Sequence, residues 1–102
     1  MMEVRVQYFE ACPHWHTLEN RLKALRDEIP FDLVHELVDS PEKAEETRFV
    51  GSPTVLVDGR DPFAEPSAAV GLSCRIFTTP DGPAGSPTIE QLRTALNGAA
   101  AS

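Results

Sequence analysis

The spacing of hydrophobic and polar positions predicts a chain in which strands and helices alternate. Val4, Val6 and Tyr8 alternate with polar residues, which is typical of a strand. A similar alternation over 31–38 predicts a second strand, and we interpret His35 within it as a structural residue rather than a ligand or base. Between these strands, apolar residues recur at the helical spacings of three and four: Trp15, Leu18, Leu22, Leu25 and Ile29.

The second half of the chain predicts a short polar helix, two strands and a last helix. These elements cover residues 41–48, 55–57, 74–77 and the stretch that begins at 88. Ser40 is the expected cap of the short helix, and Thr88 with Gln91 forms a capping box at the start of the last helix. We expect a single domain over 1–102, with residues 97–102 frayed at its end.

Cys12 is the residue on which the predicted chemistry of the chain depends. It lies where the first strand ends and the first helix begins, with Pro13 at the first helical position. The unpaired N–H groups of a helix's first turn and the helix dipole favour the thiolate, which is the reactive form. A protonated His14 would add to this effect. The alternative is that Cys12 is a small buried apolar residue.

Composition and charge narrow the classes of partner. Nine basic against sixteen acidic side chains give a formal net charge of -7, which argues against nucleic acid and anionic membrane surfaces as partners.

The sequence also leads to an expectation about the compartment. Residues 1–5 lack the basic start of a signal peptide, and no apolar run reaches the roughly 18 residues of a membrane span, so we expect a cytoplasmic protein. Two cysteines are too few for a disulfide framework, and in a reducing compartment they are normally free.

The order of elements and two short motifs resemble the thioredoxin-like superfamily. The two motifs are Cys12-Pro13-His14-Trp15, after the first strand, and Gly51-Ser52-Pro53-Thr54, before the third. The resemblance covers nearly the whole chain. It implies an α/β thioredoxin-like fold of order β-α-β-α-β-β-α, in which helices flank a four-stranded mixed sheet.

The resemblance also implies roles for individual residues. Cys12 is the implied catalytic thiol, which attacks a disulfide. The residues that would bind the substrate lie in the same two motifs and are Pro13, His14, Trp15, Ser52, Pro53 and Thr54. The last three form the implied docking edge, and tertiary contacts could hold the peptide bond before Pro53 in the cis form.

The chain departs from the dithiol pattern of thioredoxins, because Trp15 stands where the second cysteine is expected. Three outcomes remain open: monothiol chemistry through a mixed disulfide with glutathione, resolution by Cys74, or no redox chemistry. A bridge requires Cα atoms within about 7 Å of each other. In the implied topology Cys74 begins a strand antiparallel to the third, at the far end of the sheet, so we expect it to be buried apart from Cys12.

The first functional hypothesis is therefore a monothiol redox protein that forms mixed disulfides. Its partner would be a small thiol such as glutathione, acting as co-substrate, or a protein disulfide, and no resident cofactor or metal is expected. Trp15 would form a wall of the thiol site, although helical periodicity assigns it equally well to the core. Whether Cys12 turns over as an enzyme stays open.

Two other hypotheses come from different classes of function. A non-catalytic binding or dimerisation module, including a homodimer, could use the loop that contains Pro62, Phe63 and Pro66 as its contact surface. A soft-metal or organomercurial-handling protein could use Cys12 with nearby histidines, or Cys12 with Cys74, because thiolates and imidazoles suit zinc, copper(I) and mercury. A Cys–His hydrolase is not favoured, because no oxyanion loop is recognisable.

Overall fold

The alternating strands and helices of the first half of the chain form as the pattern predicted. The computed structural model describes residues 2–65 and 69–100. Pro66 of the predicted contact loop and residues 101–102 of the predicted frayed tail lie outside these ranges. The elements are β1 (Glu3–Tyr8), α1 (Trp15–Leu25), β2 (Asp32–Leu37), α2 (Pro41–Thr47), β3 (Thr54–Val57), β4 (Phe77–Thr79), β5 (Gly82–Ala84) and α3 (Ile89–Ala100).

The sheets differ from the predicted arrangement. β1 is the central strand of a three-stranded mixed sheet, with β2 parallel on one side and β3 antiparallel on the other. β4 and β5 form a separate antiparallel pair. The prediction of a four-stranded mixed sheet, and with it the implied thioredoxin-like arrangement of strands, was therefore wrong, whereas the α/β class holds.

The predicted fourth strand fails because residues 73–75 do not run along β3. They pair instead with the loop before β3: the Ser52 N–H donates to the Ser73 carbonyl at 2.7 Å, and the Arg75 N–H donates to the Ser52 carbonyl at 2.9 Å. This contact is an isolated parallel bridge. The chain then turns into the β4–β5 pair. The sequence pattern did not predict β5, because this strand contains Gly82 and Pro83, residue types that are depleted in strands.

One hydrophobic core lies between the three-stranded sheet and helices α1 and α3. The valines at alternate positions of β1 and β3 face it together, because Val4 pairs with Val57 and Val6 with Val55. The helical members of this buried cluster are Leu18, Leu22, Leu25, Leu92 and Leu96. A smaller cluster of Val38, Ala44 and Phe49 packs under α2. The core face of α1 is the one that its spacing predicted.

Helix ends follow their capping residues. The Ser40 side chain accepts a hydrogen bond from the Lys43 N–H at 3.1 Å, as expected of the cap of α2. α1 begins at Trp15 rather than at Pro13, and its cap residue His14 makes no side-chain capping hydrogen bond. None of the helices within residues 2–65 and 69–100 is long and apolar enough to cross a membrane.

The capping box at the start of α3 gives a test of how much one local interaction contributes to the fold. The Thr88 Oγ1 accepts from the Gln91 N–H at 3.1 Å, and the Gln91 Oε1 accepts from the Thr88 N–H at 2.9 Å. We expect Thr88→Ala to lower the free energy of unfolding by about 1 kcal/mol. Thr94→Ala, on the exposed side of the same helix, should change it little. Urea unfolding measures both, and equal losses would contradict the capping role.

Candidate functional site

A disulfide bond joins Cys12 and Cys74, the two cysteines of the chain. Their Cα atoms are 5.8 Å apart, although 62 positions separate them in sequence. This distance lies within the ordinary range for a disulfide. The prediction that Cys74 lies apart from Cys12 was wrong, because residues 73–75 return to the end of the sheet where Cys12 lies.

The two sulfur-bearing residues differ in their access to solvent. Cys12 is 0% exposed, whereas Cys74 is an exposed residue on the outer side of its segment. Cys74 also lines a surface cleft of about 250 Å³, together with Val50, Ser73 and Ile76. The side chain of Ile76 beside it is 61% exposed. The exposed side of the bridged pair is therefore the Cys74 side.

Cys12 lies in a tight turn before α1, not inside its first turn. The Cys12 N–H donates to the Phe9 carbonyl at 3.0 Å, and the first helical residue comes three positions later. Its Sγ lies 3.4 Å from the Ser52 carbonyl oxygen. Because a bridged sulfur carries no proton, this contact becomes a hydrogen bond only after reduction, and a carbonyl acceptor then favours the thiol over the thiolate. The helix-start argument for a reactive Cys12 is weakened accordingly.

The implied docking edge lies beside Cys12, but the chain itself occupies it. Ser52, Pro53 and Thr54 are all buried, and the Ser52–Pro53 peptide bond is cis, as the sequence allowed. Both backbone hydrogen-bonding groups of Ser52 are engaged by residues 73–75, and its Oγ accepts from the Phe9 N–H at 3.0 Å. An extended segment from outside would have to displace residues 73–75 to pair with Ser52.

Gly51 allows the two segments to approach each other this closely. Its φ of +126° belongs to a region that residues with a side chain rarely adopt. A Cβ at this position would lie 3.0 Å from the Arg75 Cβ and 3.2 Å from the Arg75 Cα. The sequence motif that suggested a docking edge thus includes a glycine that makes room for the segment carrying Cys74.

Arg75 is a site residue that sequence reasoning missed. Its side chain is 8% exposed, and its guanidinium donates to Asp61 at 2.7 Å and to the Phe63 carbonyl at 2.5 Å. The guanidinium carbon also lies 4.5 Å from the centre of the Phe77 ring. One feature of the sequence indicated that Arg75 faces inward. In an extended segment over 74–77, Arg75 lies on the same face as Phe77, and Cys74 and Ile76 lie on the other.

The remaining residues of the first motif surround the start of α1. Trp15 is half-buried, with its ring 4.5 Å from that of Tyr8 and stacked at 3.8 Å on that of His16. The Trp15 Nε1 is buried, and no residue described by the structure gives it a hydrogen-bond partner. His14 is exposed and lies against Gly85, where an added Cβ would come within 2.4 Å of its Cγ. Trp15 therefore belongs to an aromatic cluster at the edge of the core.

His35 has the structural setting that the sequence favoured. Its Nε2 lies 2.9 Å from the Glu19 Oε1 of α1, and the Lys23 ammonium lies 3.2 Å from the same oxygen. Burial alone would raise the pKa of Glu19. The hydrogen bonds and positive charges of Lys23 and His35 outweigh it and lower the pKa below the ordinary value of 4.5.

The Glu19 cluster predicts a component of acid sensitivity. A carboxyl group whose pKa is lower in the folded than in the unfolded state stabilises the fold above the unfolded pKa, and this stabilisation is lost as pH falls through the folded pKa. The free energy of unfolding should therefore decline below about pH 4.5. In urea unfolding across pH, Glu19→Gln should flatten that decline, and the exposed control Glu46→Gln should not. Identical curves for Glu19→Gln and the wild type would contradict this assignment.

The close approach at Gly51 predicts a link between stability and bridging. Gly51→Ala should lower the free energy of unfolding by about 1–3 kcal/mol from backbone strain. It should also lower the bridged fraction, because the new methyl group pushes Arg75 away from the docking edge. Gly82→Ala is the matched control, since its φ of +104° is strained but its Cβ meets nothing within 4 Å. Thiol counting in denaturant measures bridging, and equal losses of bridged protein in the two variants would contradict the packing role.

The site joins one exposed and one fully buried cysteine in a single disulfide bond. Attack by a thiolate on a disulfide needs access to one of the two sulfurs, and the exposed residue of this pair is Cys74. No group of three or more histidine, cysteine, aspartate or glutamate side chains within residues 2–65 and 69–100 is arranged to hold a metal ion. A scan against protein-family models and a search of curated proteins gave no match to this chain.

Proposed function

We propose that this protein is a thiol–disulfide oxidoreductase that cycles between the Cys12–Cys74 disulfide and the dithiol. The observation that carries the proposal is the disulfide between a fully buried cysteine and an exposed one, beside the buried turn Ser52-Pro53-Thr54. The resemblance of Cys12-Pro13-His14-Trp15 to thioredoxin-like sites supports the same class of chemistry. Cys74 supplies the second thiol, which the first motif lacks because Trp15 stands in its place, although Cys74 is far from Cys12 in sequence.

The accessible sulfur determines the order of bond changes in reduction. A thiolate from solution attacks the Cys74 Sγ, forms a new sulfur–sulfur bond there and breaks the bond to Cys12. The electron pair leaves on the Cys12 sulfur, which takes up a proton from solvent. The resulting thiol donates to the Ser52 carbonyl, whose oxygen lies 3.4 Å from that sulfur. Cys12 is thus the leaving and resolving thiol, the reverse of the role that the sequence implied.

A second thiol completes the cycle. Its thiolate attacks the sulfur of the first small thiol in the mixed disulfide, so that the Cys74 thiolate is released. Two small thiols have then become one disulfide, and the protein has gained two electrons and two protons. In the opposite direction, the Cys74 thiolate attacks an external disulfide and Cys12 displaces the mixed-disulfide partner. No resident cofactor is needed for either direction.

The proposed partner is a small thiol such as glutathione, in its reduced or oxidised form, or a protein disulfide. A small thiol needs only the exposed side of Cys74, whereas an extended segment meets a docking edge already paired with residues 73–75. We propose that the protein works where such thiols are present and keep most disulfides reduced. A disulfide that forms there is accordingly proposed to be transient and catalytic.

The unequal access of the two sulfurs predicts unequal reactivity in single variants. In folded Cys12→Ser, the remaining Cys74 should form a glutathione adduct with oxidised glutathione at least about ten times faster than Cys12 does in Cys74→Ser, because a reactive thiol requires access. Intact mass after acid quenching follows the adduct in both variants.

Denatured samples of the two variants serve as the control, since both thiols should then react at the same rate. Equal rates in the folded state, or a faster Cys12, would contradict the proposed order of attack. If neither folded variant forms an adduct and the wild-type bridge resists glutathione, the redox function itself is wrong.

Soft-metal binding is a second candidate, favoured by the 5.8 Å separation of the two cysteine Cα atoms. Once reduced, two neighbouring thiolates can hold a soft ion such as copper(I) or mercury(II) between them. Elemental analysis of the protein purified under reducing conditions tests this reading. One equivalent of metal per chain, lost in both Cys12→Ser and Cys74→Ser, would support it, and a metal-free dithiol that also fails to retain added copper(I) would exclude it.

A further inference from the structure

The segment that carries Cys74 is held beside Cys12 by contacts that do not involve the disulfide. From these contacts we infer that Arg75 and Asp61 are positioning residues, which keep the Cys74 thiol next to Cys12 after the bridge is reduced. This inference rests on the proposed redox function and adds to it a reason why two distant cysteines act as one site.

The ion pair between Arg75 and Asp61 is the strongest of these contacts. The Arg75 Nη1 lies 2.7 Å from the Asp61 Oδ2, and its Nη2 donates to the Oδ1 at 3.4 Å. The two side chains are only 8% and 14% exposed. Little water therefore competes for the pair, and the two-pronged geometry fixes the direction of the arginine side chain. Because Arg75 follows Cys74 in sequence, a fixed Arg75 restricts where Cys74 can lie.

Asp61 is itself anchored, so the ion pair connects two ordered segments. Its Oδ1 accepts from the Phe63 N–H at 2.8 Å, which closes a local turn. The Phe63 carbonyl in turn accepts from the Arg75 Nη2 at 2.5 Å. The guanidinium therefore donates hydrogen bonds to both a carboxylate and a backbone carbonyl of the loop after β3.

The other side of Arg75 is held as well. Its Nη1 lies 3.4 Å from the Thr54 Oγ1, and that hydroxyl donates to the Gly51 carbonyl at 2.6 Å. The Arg75 N–H donates to the Ser52 carbonyl. Cys74, by contrast, makes no hydrogen bond to any residue in the described part of the chain, so its position depends on its neighbours.

This arrangement has a measurable thermodynamic consequence. The equilibrium between the dithiol with oxidised glutathione and the disulfide with two reduced glutathiones gives the effective concentration of one protein thiol at the other. A thiol held in place in the reduced protein has a high effective concentration. A substitution that destabilises the oxidised and reduced forms equally leaves this value unchanged, whereas one that frees Cys74 in the reduced form lowers it.

The test measures this equilibrium in the full chain for wild type, Asp61→Asn and Arg75→Met. Asn keeps the shape of Asp but loses the charge, and Met keeps the apolar stem of Arg but loses the guanidinium. Each variant should lower the effective concentration at least about tenfold, the scale of one charge-assisted hydrogen bond. The matched control is Arg60→Met, which should leave the value unchanged. Arg60 is an exposed arginine in the same loop, and its side chain makes no hydrogen bond or ion pair with residues 2–65 or 69–100.

A second measurement does not depend on redox activity. Dibromobimane, a short bifunctional reagent, should bridge Cys12 and Cys74 efficiently in the fully reduced wild type and poorly in Asp61→Asn and Arg75→Met, with circular dichroism as the check that each variant is folded. Wild-type levels of cross-linking and an unchanged equilibrium in folded variants would overturn the positioning role while leaving the redox function intact. A wild type that cross-links but never exchanges with glutathione would instead overturn the redox function and leave the positioning role in place.

Discussion

The pairing of residues 73–75 with the backbone of Ser52 is the contact on which the site depends. Two backbone hydrogen bonds, at 2.7 and 2.9 Å, bring the distant second cysteine to the turn that carries the first. Gly51 makes this approach sterically possible, and the buried Arg75–Asp61 pair holds it from the other side. Without this contact, the buried Cys12 and the exposed Cys74 would not lie close enough to form a disulfide.

The same contact explains why the site differs from a pair of cysteines in adjacent turns of one helix. The backbone of Ser52, which could pair with an extended partner, already pairs with residues 73–75 of the same chain. Cys74 therefore occupies the position that a cysteine of a docked partner would take. It also separates the roles of the two sulfurs, because Cys12 is enclosed and Cys74 faces solvent. In the proposed redox cycle, access to solvent rather than the start of a helix determines which sulfur is attacked.

Features fixed by neighbouring residues could be predicted from the sequence, and those fixed by distant pairing could not. The core face of α1, the Ser40 cap and the Thr88 and Gln91 capping box follow from spacing and local hydrogen bonding. The location of Cys74 depends on which backbone residues 73–75 pair with, and no local pattern specifies that partner. The burial of Arg75 likewise requires Asp61, fourteen positions earlier, whose carboxylate gives no sign in sequence of facing inward.

The central claim is that Cys12 and Cys74 of one chain form a reversible disulfide. Peptide mapping of a non-reduced digest, prepared after acid quenching and alkylation, tests it most directly. We predict a linked pair of peptides that contain Cys12 and Cys74, which disappears on reduction with glutathione and returns on reoxidation. Separately alkylated cysteines under oxidising conditions, or linkage found only between two chains, would contradict the account.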